Sequence, residues 1–194
     1  MDTIRKGWLT ELQIQELLAK EDNPRYHALW VLMADCGLRI AEALALRMRD
    51  VVETGEVAKV IRVKGKGKKI RYVAMTARVQ LALKELLSSH GLYFKHKLFP
   101  IGARAAQIRF KNVAAAAGLK GYLSPHSLRH SFATRLLDGG QNIYQVQQLM
   151  GHETIKTTEK YLHLNDNALG AARAVLDNTT TGIRTERMQG GLKL

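Results

Sequence analysis

Cysteine, acidic residues and long apolar runs are all scarce in this sequence, and each shortage excludes a class of protein. The one cysteine, Cys36, excludes an internal disulfide and fits a reducing cytoplasm. It ends an apolar stretch, so we expect a buried side chain rather than a nucleophile. The longest apolar run, Ala28 to Ala34, is far shorter than the ~20 residues of a membrane span, and the N-terminus lacks the apolar segment of a signal peptide. A membrane partner is therefore not expected.

The shortage of acidic residues leaves a large positive charge. The 17 Asp and Glu residues stand against 30 Lys and Arg residues, for a formal net charge of +13 and a pI near 10. This balance favours a polyanionic partner, above all nucleic acid. The length of 194 residues suits one domain. We place that domain at residues 1–177 and treat residues 178–194, rich in Thr and Gly, as a C-terminal tail.

Periodicity and capping residues predict a mainly α-helical chain with a small β-hairpin, an α+β fold. Apolar residues recur at helical spacing, and residues such as Thr10 and Gly37 mark helix ends. A β-branched alternation from Val57 to Val73, around a turn of glycines and lysines, predicts the hairpin. The predicted helices are Thr10–Lys20, Pro24–Gly37, Ile40–Arg47, Thr76–Ser89, Ala103–Ala117, Pro125–Asp138, Ile143–Met150 and Asp166–Asp177.

Basic side chains concentrate in the hairpin and in the helix near Ala103–Ala117. A run of charge is usually only a solvated face, but the hairpin carries no acid among its bases, which suits insertion against a nucleic-acid backbone. The alanine-rich helix either lies along phosphates or is only a core helix. The predicted DNA contacts are Lys64, Lys68, Lys69, Arg71, Arg104, Arg109 and Lys111.

The stretch from Ser124 to Tyr161 carries the densest polar signals. Pro125 suits the first position of a helix, so His126 and Arg129 fall one turn apart on one face near the helix N-terminus. Unpaired backbone N–H groups and the helix dipole favour an anion there, for which phosphate is the obvious candidate. An imidazole, a guanidinium and the phenol of Tyr161 can therefore converge on one site.

Five short motifs follow one another along the chain from about Thr10 to Asp177. They are Cys36-Gly37-Leu38-Arg39-Ile40-Ala41-Glu42, Gly65-Lys66-Gly67, His126-Ser127-Leu128-Arg129-His130, Leu149-Met150-Gly151-His152 and Tyr161. Each motif is weak by itself. Together, in this order, they resemble the catalytic domain of the tyrosine recombinase (phage integrase) family, nearest to its Xer-like bacterial members.

The resemblance implies the catalytic-domain fold of that family and DNA cleavage and rejoining through a 3′-phosphotyrosyl intermediate. No metal, ATP or other cofactor is implied. Arg39 and Arg129 would clamp the phosphoryl oxygens, on which charge builds during attack. Tyr161 is the implied nucleophile, and His126 is the best candidate to accept its proton.

Three further residues receive roles from the same resemblance. Lys66 would protonate the leaving 5′ oxygen, and His152 would position the phosphate or donate to it. Glu42 would hold Arg39 in place, although by spacing alone this i,i+3 pair is more simply a surface ion pair. The implied partner is double-stranded DNA, on which the chain assembles as a homo-oligomer, a tetramer, in the cytoplasm at the nucleoid.

Two features of the chain bear on that assembly. Only 38 residues precede Arg39, so we expect the chain to lack the N-terminal helical domain that family members usually carry, either as a naturally short member or as a fragment or degraded relative. The amphipathic segment Asp166–Asp177 is expected to dock on a neighbouring protomer, as the segment after the tyrosine commonly does in the family.

Three other functions compete with recombination as interpretations of the sequence. His126 and His130 at i,i+4 suggest a metal pair, but Ser127 stands where a zinc protease of the His-Glu-x-x-His type needs Glu, and a third ligand would have to be His152 or His163. The helix near Ile143–Met150 also suits the helix-turn-helix of a non-catalytic DNA-binding regulator. A type IB topoisomerase would use the same chemistry to relax DNA without exchanging partners.

Overall fold

The computed structural model describes residues 7–65, 69–90, 96–151 and 173–177. These residues form a mainly helical structure with two small antiparallel sheets, so the predicted fold class is confirmed. None of the helices in these ranges has the length and apolarity that a membrane span requires. The elements are α1 (Glu11–Ala19), α2 (Pro24–Cys36), α3 (Ile40–Ala45), a 3₁₀ turn (Met48–Asp50), β1 (Val52–Glu53), β2 (Glu56–Val57), β3 (Val60–Lys64), β4 (Ile70–Ala74), α4 (Ala77–His90), α5 (Ala103–Ala116), α6 (Pro125–Asp138) and α7 (Ile143–Leu149).

Helix α2 organises the main core. Asn23 caps its N-terminus by accepting two backbone hydrogen bonds, Pro24 occupies the first position, and Gly37 ends the helix in the left-handed region at φ 60°. The predicted apolar run Ala28 to Ala34 is fully buried and packs against α4 and α6. Burial also raises the pKa of the Cys36 thiol, which agrees with its predicted role as core filler.

Strands β3 and β4 form the predicted hairpin, and their register decides which side chains face inward. Val63 pairs with Arg71, and Arg62 pairs with Tyr72. Because side chains alternate between the two faces of a strand, Arg71 shares a face with the buried Val73, whereas Arg62 and Tyr72 lie on the exposed face.

Two predicted boundaries are wrong. Val57 lies outside the hairpin, in β2, which pairs with β1 around a tight turn of its own. Helix α3 ends at Ala45 rather than Arg47, because Leu46 is extended at ψ 140° and its carbonyl accepts a hydrogen bond from the N–H of Leu98 at 3.0 Å. This long-range backbone pairing outweighs the local helical pattern.

A buried group of two carboxylates and two guanidiniums joins α1, α2, α4 and α6, and no sequence pattern predicted it. Asp35 accepts hydrogen bonds from Arg78 at 2.5 and 2.8 Å and from Arg135 at 3.0 Å. Glu11 accepts one from Arg78 at 2.6 Å and pairs with Arg135. Burial acts to raise the pKa of Asp35, but the two arginines lower it to about 2. The charges cancel, and Arg135 ties α6 to the core.

The described part of the C-terminal segment, residues 173–177, is helical and packs on the same chain. Leu176 is buried in a small cluster on α6 and α7 that includes Phe132 and Val146. Asp177 accepts a hydrogen bond from the N–H of Ala77 at 3.3 Å, at the start of α4. The rest of the predicted helix and the tail at 178–194 lie outside the described residues.

Candidate active site

Glu42, on α3, lies at the centre of a cluster of three arginines. Its carboxylate accepts hydrogen bonds from the N–H of Arg39 at 2.8 Å and from Arg39 Nη1 at 3.0 Å. Arg71 donates to both oxygens, from Nη1 and Nη2, at 2.8 Å each. Nη1 of Arg129 lies 3.9 Å from Glu42 Oε2. One carboxylate therefore faces three guanidiniums, which leaves two positive charges in excess.

The pKa of Glu42 reflects this arrangement. Burial acts to raise it, but the hydrogen bonds from Arg71 and Arg39 and the charge of Arg71 outweigh burial and lower it to about 2. The carboxylate is therefore ionised throughout the physiological range. The i,i+3 pair of Arg39 and Glu42 is present as predicted, yet it is part of a larger buried network rather than an isolated surface pair.

Arg129 projects from the second turn of α6 into the protein and is held by backbone carbonyls. Its Nη1 donates to the carbonyl of Gly37, at the end of α2, and its Nη2 donates to the carbonyl of Met150, just after α7, at 2.6 Å. Burial and the charges of Arg39 and Arg71 lower the pKa of Arg129 to about 10, against the opposing effect of Glu42. The guanidinium is thus charged at neutral pH, and an anion would be favourable beside it.

Arg39 is the more accessible member of the predicted clamp. It caps α3 in an extended conformation, and 38% of its side chain is exposed, against 7% for Arg129. Its Nη2 donates to the carbonyl of Gly151 at 3.2 Å. Arg39 and Arg129 therefore bind consecutive residues, Gly151 and Met150, although they are distant in sequence from each other. The structure brings the two predicted clamp residues together.

The first turn of α6 adds an imidazole to the exposed side of this region. His126 is exposed, one turn before the buried Arg129. Ser127 supports the turn by accepting a hydrogen bond from the N–H of Ser124 at 3.3 Å. His130 is also exposed. In the part of the chain that the structure describes, no three His, Cys, Asp or Glu residues group as metal ligands do.

Several predicted site residues lie outside the described residues, namely Lys66, Lys68, His152 and Tyr161. For two of them, Lys66 and His152, the preceding residue is described and lies at the cluster. A Cβ built on Gly65 would stand 3.7 Å from Glu42 Oε1, and one on Gly151 would stand 3.0 Å from Arg71 Nη1. Gly65 directly precedes Lys66, and Gly151 directly precedes His152. The described chain thus reaches the cluster at the residue before each of these two predicted residues.

The predicted DNA contacts fall into two groups. Arg109 is paired within the chain: it donates to Glu21 at 2.6 Å, pairs with Asp22, and lies 5.8 Å from the centre of the Tyr26 ring. The hydrogen bonds to Glu21 raise the pKa of its guanidinium. Arg71 belongs to the Glu42 cluster, a position that its shared face with Val73 could have indicated from the sequence. The exposed predicted contacts are Lys64, Lys69, Arg104 and Lys111.

The chain is similar in sequence to curated tyrosine recombinases. The chain is 38% identical over 155 residues to the tyrosine recombinase XerD of Corynebacterium glutamicum, a match that covers 75% of this chain and 50% of that protein. It spans between 50% and 62% of the length of the first curated relatives that it matches.

Solved structures of an integrase and a site-specific recombinase are similar to this chain in fold. The integrase from mycobacterium phage Brujita has a TM-score of 0.70 at 25% identity, over 90% of this chain and 59% of that one. The XerH site-specific recombinase bound to palindromic difH substrate, a post-cleavage complex, has a TM-score of 0.63 at 27% identity, over 88% of this chain and 53% of that one. The phage integrase family model matches residues 7–168. With most of its length matched and with Arg39 and Arg129 gathered around Glu42, the chain belongs to the phage integrase family.

Proposed function

We propose that this chain is a site-specific DNA recombinase that cleaves and rejoins strands through a 3′-phosphotyrosyl intermediate on Tyr161, without metal or ATP. The observation that carries the proposal is the excess of guanidinium charge around Glu42. A phosphodiester under attack gains negative charge on its non-bridging oxygens, and preorganised cations stabilise that charge more than the ground state.

Arg39 and Arg129 are the proposed phosphate clamp. Within the described residues, the hydrogen bonds of Arg129 to Gly37 and Met150 use two of its five N–H groups and fix its plane. Burial and the neighbouring cations lower the pKa of Arg129, and a bound phosphate would relieve the repulsion between the cations and raise the pKa again. The repulsion between these guanidiniums therefore favours an anion beside them.

The proton transfers are assigned to residues beside the clamp. His126 accepts the proton of Tyr161 as the phenol attacks phosphorus, and the bond to the 5′ oxygen breaks as Lys66 protonates that oxygen. Rejoining reverses these steps, with a free 5′ hydroxyl attacking the phosphotyrosyl bond. His152 positions the phosphate.

Double-stranded DNA is the proposed substrate, and the exposed bases Lys64, Lys69, Arg104 and Lys111 are its proposed backbone contacts. The related XerH protein is bound to its difH substrate, which supports this choice. We further propose that the chain assembles on DNA as a homo-oligomer, a tetramer, and that it acts at the nucleoid in the cytoplasm.

Covalent trapping on nicked duplexes from the chain's own genomic neighbourhood tests the proposal. Wild type should form a protein–DNA adduct that survives denaturing electrophoresis and chelator, and Tyr161→Phe should bind DNA but form none. Tyr144→Phe is the matched control, because Tyr144 is exposed on α7, and it should form the adduct normally. DNA binding without any adduct from wild type would instead support a non-catalytic regulator.

The role of Lys66 has its own chemical test. A 5′ bridging sulphur leaves without protonation, so Lys66→Ala should cleave the sulphur substrate and fail on ordinary DNA, a loss of ~100-fold to 10,000-fold. Lys64→Ala is the control, since its exposed lysine ends β3 one residue before Gly65, and it should mainly weaken binding. Rescue of Lys64→Ala alone by sulphur would transfer the acid role to Lys64.

A further inference from the structure

Arg71 does not occupy the position of a DNA contact. Only 14% of its side chain is exposed, and both Nη atoms donate to the carboxylate of Glu42 at 2.8 Å. Its Nε is buried and has no hydrogen-bond partner among the described residues. Because this guanidinium is paired along one edge and buried at Nε, it has few accessible N–H groups that could donate to a phosphate in solution.

The guanidinium of Arg71 also contacts two glycine turns. A Cβ on Gly151 would stand 3.0 to 3.2 Å from Nη1, Cζ and Nε, so the flat face of the group packs on that glycine. A Cβ on Gly65 would stand 3.7 Å from Nη1. A side chain at Gly151 would additionally be strained, because its φ is 65°. One side chain thus lies beside the residues directly before Lys66 and His152.

Arg62, on the neighbouring strand, shows what a hairpin arginine on the outer face does. It lies on the opposite face from Arg71, and 46% of its side chain is exposed. Its Nη1 lies 3.6 Å from Asp50 Oδ1, which is a looser ion pair than that of Arg71 with Glu42. The two arginines have the same side chain and lie on the same hairpin, but Arg62 is exposed and Arg71 is largely buried against Glu42. Arg62 therefore provides a matched control for any substitution of Arg71.

We infer that Arg71 is a positioning residue that fixes the turns at Gly65 and Gly151, the residues directly before Lys66 and His152 in the sequence, against Glu42. This inference rests on the proposed function for its chemical consequence, but its structural part stands on the contacts alone. Lysine cannot replace arginine here, because an ammonium cannot donate a planar, two-bonded pair to both oxygens of Glu42.

Amide hydrogen exchange on the free protein tests the structural part. The N–H of Gly65 donates to the carbonyl of Lys69 at 2.8 Å, and the N–H of Gly151 donates to that of Gln148 at 2.9 Å, so both amides have measurable protection. Arg71→Lys should speed exchange at both glycines by about tenfold or more, as local opening becomes easier. Arg62→Lys should change neither. If Arg71→Lys leaves both amides protected, or frees only one, the inference is wrong.

Single-turnover cleavage at saturating protein tests the chemical part. Arg71→Lys should cleave ordinary DNA about 10-fold to 100-fold more slowly, the cost of a small misplacement, and should recover at least partly with the 5′ bridging sulphur because Lys66 acts at the leaving oxygen. Arg71→Gln, which removes the positive charge, should bind DNA with the same salt slope as wild type. A slope lower by about 0.9 with an unchanged cleavage rate would make Arg71 a phosphate contact and overturn the inference.

Equal slowing on the oxygen and sulphur substrates would overturn the link between Arg71 and Lys66. If wild type forms no adduct, the proposed recombinase function fails, and hydrogen exchange still decides whether Arg71 fixes the two turns. The two failures are therefore distinguishable.

Discussion

Replacing Glu42 by glutamine removes one negative charge from the centre of the arginine cluster and leaves the size of the side chain almost unchanged. The amide has one oxygen to accept the hydrogen bonds that two carboxylate oxygens now accept from Arg39 and Arg71. Its NH₂ group would also face guanidinium donors. Three guanidiniums would then lie close together without a counter-charge.

The structure sets the size of the effect. The pKa of Glu42 falls from an ordinary value of 4.5 to about 2, which corresponds to about 3 kcal/mol of folding free energy for the ionised form. Solvent screening near the partly exposed Arg39 reduces this to about 2 kcal/mol. Unsatisfied buried donors on Arg71 add to the loss, so Glu42→Gln should lower the free energy of unfolding at pH 7 by about 2 to 4 kcal/mol.

The pH dependence of the destabilisation distinguishes the loss of this carboxylate from a packing defect, which does not depend on the ionisation of Glu42. A carboxyl with a lowered pKa in the folded state contributes its full stability above its unfolded value of 4.5, and loses that contribution as the pH falls toward 2. The difference between wild type and Glu42→Gln should therefore be largest at pH 7 and shrink from about pH 5 to pH 3.

Urea unfolding followed by circular dichroism across this pH range measures the difference. Glu53→Gln is the control: Glu53 is exposed and faces Glu56 across the β1–β2 pair, so its loss should be neutral or slightly stabilising. A difference between wild type and Glu42→Gln that stays constant from pH 7 to pH 3, or that Glu53→Gln matches, would refute the reasoning.

Three other predictions follow from the structure. Gly37→Ala should cost about 2 to 4 kcal/mol in urea unfolding, because its Cβ would lie 3.0 Å or less from three ring atoms of Phe132 at a φ of 60°; unchanged stability would contradict the contact. Lys64→Ala should lower the salt slope of DNA binding by about 0.9, whereas Arg109→Ala should leave it unchanged, because Arg109 is already paired; equal slopes would contradict this. Truncation after Leu164 should destabilise the monomer by about 2 kcal/mol or more, because it removes a buried leucine from the second cluster; a loss confined to assembly on DNA would favour docking on a neighbouring protomer.

Local features of the sequence predicted most of the secondary structure. The cap at Asn23, Pro24 at the first position and the left-handed Gly37 set the ends of α2 as expected, because these signals act within a few residues of the chain. The two-residue alternation likewise predicted the hairpin. Where a distant segment competed, as at Leu46, the local pattern predicted the wrong helix end.

Family membership could also be predicted from the sequence, because the order and spacing of the motifs around Arg39 and Arg129 are properties of the chain itself. The same motifs named the residues of the proposed clamp. Their spacing could not say that Arg129 is buried against the carbonyls of Gly37 and Met150, because those contacts span 92 and 21 residues.

Only the tertiary structure decided which positive charges are free for a partner and which are used within the chain. Composition counts Arg71, Arg109 and Lys64 alike, yet Arg71 is paired with Glu42, Arg109 is paired with Glu21, and Lys64 is exposed. The pair of Arg71 and Glu42 joins residues 29 apart in sequence, and that of Arg109 and Glu21 joins residues 88 apart. An ion pair depends on the distance between two groups in space, and folding alone sets that distance.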